Sequence, residues 1–173
     1  MFPLLINNMN ELNSKITELI SLCKKNKIKL ATAESCTGGL ISSLITSISG
    51  SSHIFELSFV TYSNQSKIDL LKVDPKRIRE FGAVSTEVCS DMSKNLIKLH
   101  PNIDISISVS GIAGPNSDDT QKEVGLVYIS ISNKTDTVCN EFRFGKIGRE
   151  NVRNQTAFEA ISMCINRINQ LYK

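Results

Sequence analysis

Ala33-Glu34-Ser35-Cys36-Thr37-Gly38-Gly39-Leu40 is the stretch that decides the fold class. A short apolar run precedes it (Ile28, Leu30, Ala31, Ala33). Apolar residues at helical spacing follow it (Leu40, Ile41, Leu44, Ile45, Ile48). That pattern is a strand turning into a helix, the unit of α/β domains. Two hydroxyls, a thiol and two glycines therefore sit at the turn. Backbone N–H groups at a helix N-terminus lack partners and carry partial positive charge. Ser35 can present its oxygen to a substrate there while neighbouring N–H groups receive an oxyanion or a phosphate. Ser35 can equally be an N-cap and nothing more. Gly38 and Gly39 count against that, because glycine is costly inside a helix. Two of them in its first turns imply that something approaches the backbone closely.

The same alternation extends in both directions. Leu12, Ile16, Leu19, Ile20 and Cys23 predict an amphipathic helix from about Asn10 to Asn26. After the Ser35 turn, Phe55, Leu57 and Phe59 alternate with Glu56 and Ser58, as in a strand. The almost wholly polar run Thr61-Tyr62-Ser63-Asn64-Gln65-Ser66-Lys67 follows it, as a site loop would follow a buried strand. Short helices are expected at Ser66–Leu71 and after Asp74-Pro75, ending at Gly82. Ser85 opens a further helix with the stripe Val88, Met92, Leu96 and Leu99. Ile103, Ile105, Ile107 and Val109 alternate with Asp104, Ser106 and Ser108 in a clear strand. It ends in a second glycine turn, Ser110-Gly111-Ile112-Ala113-Gly114-Pro115. Val124–Ile131 and Val138–Phe144 read as a hairpin, and a last helix starts near Arg149. The predicted fold is a three-layer α/β/α sandwich on a mixed, mostly parallel sheet with one antiparallel strand. Both glycine turns fall at carboxyl ends of strands, where open α/β sheets bind ligands.

The chain has 173 residues, enough for a sizeable core, and a single domain over residues 1–173 is expected. Its net charge of +3 is scattered, which excludes the basic stripe of a nucleic-acid binder. The local run Lys24, Lys25, Lys27 and Lys29 suits a solvated helix end. No apolar run is long enough to span a membrane, and the amino-terminal residues lack the marks of a signal peptide. Five cysteines (Cys23, Cys36, Cys89, Cys139, Cys164) make an odd number without C-x-x-C spacing. Neither a disulfide framework nor a zinc site is indicated, and a reducing, cytoplasmic setting fits. Cys23 and Cys164 fall on apolar helix faces; Cys36 lies inside the candidate site.

The chemistry open to the chain is narrow. His53 and His100 are its two histidines, and neither has an evident carboxylate partner, so a Ser-His-Asp triad is not expected. With no H-E-x-x-H and no acidic calcium loop, neither a metal nor a cofactor is expected. A serine nucleophile still needs a base. Lysine serves when burial or nearby positive charge lowers its pKa from about 10.4. Lys67, five residues past Tyr62, is the best placed, though a surface lysine would look the same in sequence. Tyr62 could polarise a carbonyl or pass a proton.

At this point the blocks add up to a resemblance. Thr32-Ala33-Glu34-Ser35-Cys36-Thr37-Gly38-Gly39 resembles the signature of the CinA carboxyl-terminal family, the nicotinamide-nucleotide amidohydrolases. Phe59-Val60-Thr61-Tyr62-Ser63-Asn64 with Lys67 is similar to a second block, and Phe81-Gly82-Ala83-Val84-Ser85 to a third. Gly111-Ile112-Ala113-Gly114-Pro115 with Val124-Gly125-Leu126-Val127-Tyr128 resembles a fourth. Phe144 and Gly145 with Arg149, Val152 and Arg153 resemble the last. The resemblance implies hydrolysis of nicotinamide mononucleotide (NMN) to nicotinate mononucleotide and ammonia. It implies Ser35 as nucleophile, Lys67 as base and Tyr62 nearby. It also implies a substrate pocket lined by the turns Thr37–Gly39 and Gly111–Gly114, drawing on Glu34, Cys36, Thr37, Gly38, Gly39, Gly111, Ile112, Ala113 and Gly114. Larger members of the family carry a further amino-terminal domain related to molybdopterin-binding proteins, and this chain is expected to stand alone.

One segment departs from the family pattern. After Gly-Ile-Ala-Gly-Pro the family has a glycine-rich run and Lys-Pro-Val-Gly. Here Asn116-Ser117-Asp118-Asp119-Thr120-Gln121-Lys122-Glu123-Val124-Gly125 stands instead. Acids near a substrate phosphate would repel it, unless the loop swings away. The alternative is therefore a nucleotide-binding or sensor protein of weak or absent turnover. A role in competence or DNA repair is suggested only by the family's historical name. Arg149 and Arg153, both expected in the first turn of the last helix, are candidate phosphate ligands, because cations there need an anion to offset the dipole. The expected partners are a small-molecule nucleotide and a second copy of the chain, without nucleic acid or membrane.

Overall fold

The computed structural model describes residues 9–117 and 122–172. Its elements are α1 (Met9–Asn26), β1 (Leu30–Glu34), α2 (Leu40–Thr46), a 3-10 turn (Ser51–His53), β2 (Phe55–Val60), α3 (Asn64–Leu71), α4 (Pro75–Phe81), α5 (Thr86–Leu99), β3 (Ile105–Gly111), β4 (Leu126–Asn133), β5 (Thr137–Arg143) and α6 (Arg149–Leu171). The strands form a mixed sheet in the order β2-β1-β3-β4-β5. β1 pairs in parallel with β2 and β3, while β4 runs antiparallel to β3 and β5. Among the described residues one strand thus opposes the others, as the alternation predicts.

Each face of the sheet carries a helical layer. Leu30, Ile105, Ile107 and Val109 pack under α1, α2 and α6, and Cys23 and Cys164 lie in that core. Ala31 and Ala33 pack under α3, α4 and α5. The serines of β3 are as buried as its isoleucines. Ser106 and Ser108 donate to the Ser93 and Cys89 carbonyls of α5 at 2.7 and 2.6 Å. The Ser93 hydroxyl meets those of Ser130 and Ser132 at 2.9 and 2.7 Å. Hydroxyls that satisfy one another replace apolar packing between α5 and the sheet, which keeps their burial tolerable.

Three local expectations change. β2 is an edge strand and only half-buried, because one side lacks a partner strand. Leu99, at the end of the α5 stripe, is exposed. And α2 begins at Leu40, four residues later than an N-cap at Ser35 would require. Gly38 and Gly39 precede the helix, with φ of 61° and 91°. Those left-handed angles are ones L side chains rarely adopt. The glycines shape the turn; they do not interrupt a helix.

This topology places the site. From β1 the chain moves to one side to build β2, then returns to lay β3 on the other side of β1. The carboxyl ends of β1 and β3 therefore flank a crevice at the point where strand order reverses. The Ser35 N–H donates to the Val109 carbonyl at 3.1 Å and ties the two strand ends together.

Candidate active site

The first glycine turn is built around a buried carboxylate. Glu34 Oε2 accepts from the Thr37 hydroxyl at 2.7 Å and the Ile41 N–H at 3.0 Å. Glu34 Oε1 accepts from the Ser42 N–H at 2.8 Å and the Thr32 hydroxyl at 3.2 Å. Glu34 is 0% exposed. Its charge supplies internally the anion that the N-terminus of α2 attracts. Glu34 therefore holds the turn, and the α2 N-terminus has no free amides for a substrate phosphate. Neither Glu34 nor Thr37, Gly38 or Gly39 lines the cleft described below. Arg153 is also diverted: its guanidinium donates to the Thr37 carbonyl at 3.2 and 2.7 Å. It sits one turn into α6, outside the first turn. It braces the turn from α6, which lies in the same helical layer as α2.

With that turn fixed, Ser35 faces Lys67. Ser63 and Ser66 cap α3 reciprocally, side chain to backbone, at 3.0 and 3.1 Å. The cap sets the start of α3 so that Lys67, one turn in, points back under the end of β2. Lys67 is 1% exposed. Its Nζ lies 3.0 Å from Ser35 Oγ and donates to the Thr61 carbonyl at 2.7 Å. Burial disfavours the ammonium and lowers its pKa from 10.5 to about 8. Near neutral pH a usable fraction is then the free amine, which can take the Ser35 proton. The Cys36 thiol next to it is pushed up to about 12, chiefly by burial. It stays protonated and is a poor nucleophile. His53 and His100 do not line the cleft; the His100 ring packs on Phe59, 5.7 Å between centroids.

Ser35 and Lys67 open onto a cleft of about 470 Å³, within the usual range for small-molecule sites. Ile112, Ala113 and Gly114 of the second glycine turn line it together with Gly111, the last residue of β3. A Cβ at Gly111 would lie 2.6 Å from Val127 Cγ2 and 2.8 Å from the Leu126 carbonyl. Only glycine lets β3 and β4 close at that point. At the mouth, Tyr62 is 59% exposed. Its hydroxyl accepts from Arg149 at 2.8 Å, and Arg149 also donates to the Gly114 carbonyl at 2.9 Å. Tyr62 makes no hydrogen bond to Ser35 or Lys67 among the described residues. The described lining includes two cations, Lys67 and Arg149, and no acid.

The segment Gly82–Val84 forms a further wall of the cleft. Lys122, which the sequence did not single out, reaches it from the departing loop and donates to the carbonyls of Phe81 and Val84 at 3.0 and 2.6 Å. Lys122 stands where the family's Lys-Pro-Val-Gly has its lysine, with Glu123 in place of the proline, but that pattern does not say which carbonyls it reaches. Of the acids in that loop, Asp118 and Asp119 lie outside the described residues. Glu123 is exposed and pairs with Arg143 at 3.2 Å, so its charge is turned from the cleft. Among the described residues no helix is long and apolar enough to cross a membrane.

Comparison with known proteins agrees with this architecture. The CinA C-terminal domain family matches residues 12–168. A CinA-like protein of Prochlorococcus marinus (strain MIT 9215) is 45% identical over 147 residues, covering 85% of this chain and 34% of that protein. A second, from strain MIT 9515, is 42% identical over 150 residues, covering 87% of this chain and 34% of its own. The chain thus spans about a third of the length of these curated relatives. Among solved structures, the competence/damage inducible protein CihA from Agrobacterium tumefaciens superposes with a TM-score of 0.87 at 32% identity, covering 98% of both chains. A CinA superfamily protein from Klebsiella pneumoniae has the same fold, with a TM-score of 0.88 at 24% identity over 92% of this chain and 98% of its own.

Proposed function

Because the chain belongs to the CinA C-terminal domain family, and because its cleft pairs a buried lysine with a serine, we propose that it is an amide hydrolase that converts NMN to nicotinate mononucleotide and ammonia. The observation that carries this is the 3.0 Å approach of Lys67 Nζ to Ser35 Oγ, with the lysine pKa lowered to about 8. A serine beside a neutral amine is an activated nucleophile.

The steps balance around these two groups. Lys67 takes the Ser35 proton as Oγ attacks the carboxamide carbon. The N–H of Cys36, which lines the cleft beside Ser35 and has no oxygen acceptor among the described residues, receives the oxyanion. Collapse breaks the C–N bond, and Lys67 returns its proton to the departing nitrogen, which leaves as ammonia. Water, deprotonated by Lys67, then attacks the Ser35 ester. The acid leaves and Ser35 recovers its proton. The described cleft lining, which holds no acid and has Arg149 at its mouth, favours an anionic substrate. Incubating the purified protein with NMN and measuring ammonia tests the assignment. Release that disappears in Ser35→Ala supports it; no release from the wild type rejects it.

A further inference from the structure

Four consecutive carbonyls in the Gly82–Val84 wall and its approach are each held by a side chain, three by residues far along the chain and one by the adjoining Ser85. Lys122 Nζ takes Phe81 O at 3.0 Å and Val84 O at 2.6 Å. The Ser85 hydroxyl takes Gly82 O at 2.8 Å, and the Ser110 hydroxyl takes Ala83 O at 2.7 Å. No helix or strand includes residues 82–84. Side chains thus supply the order that a backbone ladder supplies elsewhere. The Ala83 and Val84 N–H groups have no acceptor among the described residues, although Val84 is buried and both residues line the cleft. With Val84 buried and Ala83 half-buried, these donors on the cleft wall are available to a ligand's acceptors.

From this we infer that Lys122 and Ser110 are positioning residues: by drawing the carbonyls away, they leave a wall that offers the substrate only donors. Such a wall suits the acceptor-rich part of a nucleotide, its phosphate and ribose oxygens, and repels nothing anionic. Lys122 serves best because its position also suits the carboxyl end of α4 (Pro75–Phe81), where a cation complements the dipole. Its ammonium is spent on carbonyls, so it orders the wall and does not itself hold the phosphate. Ser110, the residue before Gly111 in β3, transmits the position of the sheet to the same wall. One segment therefore registers both the sheet and the loop that departs from the family pattern.

The inference rests on the nucleotide-hydrolase assignment for its kinetic test but not for its binding test. Lys122→Met keeps the aliphatic stem and removes the donors; Lys122→Arg keeps donors. The expected result is that Lys122→Met, by releasing the Phe81 and Val84 carbonyls and disordering the wall, raises KM for NMN about tenfold, with kcat within about twofold. Lys122→Arg should recover most of that loss, and Ser110→Ala should shift KM in the same direction from the opposite side. The preference for NMN over nicotinamide riboside should fall in Lys122→Met. A merely structural lysine would lower the melting temperature and leave both KM and that preference unchanged in the folded fraction, which would overturn the inference. If the wild type releases no ammonia, the reaction assignment fails by itself. Calorimetric titration of NMN into wild type and Lys122→Met then decides this one: weaker binding in the variant upholds the ordered wall, and equal binding overturns it.

Discussion

The two glycine turns lie side by side at the ends of β1 and β3, and the chain uses them for opposite purposes. The turn after β1 contains its own anion. Glu34 accepts four hydrogen bonds, one from Thr32 of β1 and three from the turn and the first amides of α2, and the helix N-terminus is satisfied before any substrate arrives. What this turn exposes to the cleft is Ser35 and Cys36. Among the described residues the turn after β3 has no such carboxylate; Ile112, Ala113 and Gly114 line the cleft directly. Strand-end glycine turns thus do not all cradle phosphate. On the proposed function, the filled one is a rigid mount for the nucleophile and the open one a surface for the ligand.

The largest effect should come from disabling the mounted nucleophile. Ser35→Ala and Lys67→Arg should each lower kcat for ammonia release about 10²–10⁴-fold, while NMN binding persists. Arginine keeps the charge but does not give up its proton at accessible pH. Activity of the wild type should climb as pH rises toward 8 and level off above it, since the free amine is the active form and its pKa is about 8. Substantial turnover in Lys67→Arg, or a rate that falls from pH 6 to 8, would reduce Lys67 to an electrostatic role.

How much of this contrast the sequence displays depends on the residue. The strand–turn–helix pattern and the late hairpin follow from periodicities that burial enforces, whereas the strand order that makes the crevice depends on which distant strands pair and shows only in the structure. Ser35 and Lys67 are nameable because so few other groups in the chain can do the chemistry. The role of Glu34 is not legible, since its partners Ile41 and Ser42 contribute only backbone N–H groups, which every residue has. Arg153 is misplaced for a similar reason: its acceptor is the Thr37 carbonyl, and a cation near a helix start looks like a phosphate ligand until its acceptor is seen. The serines of β3 announce a strand but not their burial against α5. Their partners come from α5 and β4, far away in sequence.

Filling the first turn can be undone directly. Glu34→Gln keeps the shape but replaces an acceptor-only carboxylate with an amide that can match fewer of the four donors. A buried donor left unpaired costs about 1–3 kcal/mol. Glu34→Gln should therefore destabilise the protein by about 3 kcal/mol in urea unfolding and lower activity along with it. A variant of unchanged stability would mean that the carboxylate is not what holds the turn.

The two arginines sharpen the contrast at lower cost. Arg149→Gln acts on the open side and should reduce the preference for NMN over the riboside about tenfold, with little change in melting temperature. Arg153→Gln acts on the filled side, where it loses a donor to the Thr37 carbonyl. It should lower stability by about 1 kcal/mol and leave the substrate preference intact. If Arg153 rather than Arg149 governs that preference, the assignment of the two turns is reversed.

The smallest effect is also the one whose sign can be worked out beforehand. Burial holds the Lys67 pKa at about 8 against 10.5 in the open chain. Between those values the unfolded chain binds more protons than the folded one, so wild-type stability rises with pH across that window. Below pH 8 the folded protein carries a buried ammonium that costs about 3 kcal/mol, at 1.36 kcal/mol per pKa unit. Lys67→Met removes this cost and also removes the bond to the Thr61 carbonyl, leaving a buried acceptor unpaired at about 1–3 kcal/mol. The net is a dead enzyme more stable than wild type by about 1 kcal/mol at pH 7. The advantage should shrink from pH 8 upward and reverse by about pH 10.5, where the wild-type lysine folds as a free amine and keeps its hydrogen bonds. Other titrating groups are common to both chains and cancel in the difference. Urea unfolding of the pair at pH 7 and pH 10 measures it. A gap that does not change with pH would show that the folded protein does not hold Lys67 as a poised base, and the Ser35–Lys67 pair would then lose its claim to the chemistry.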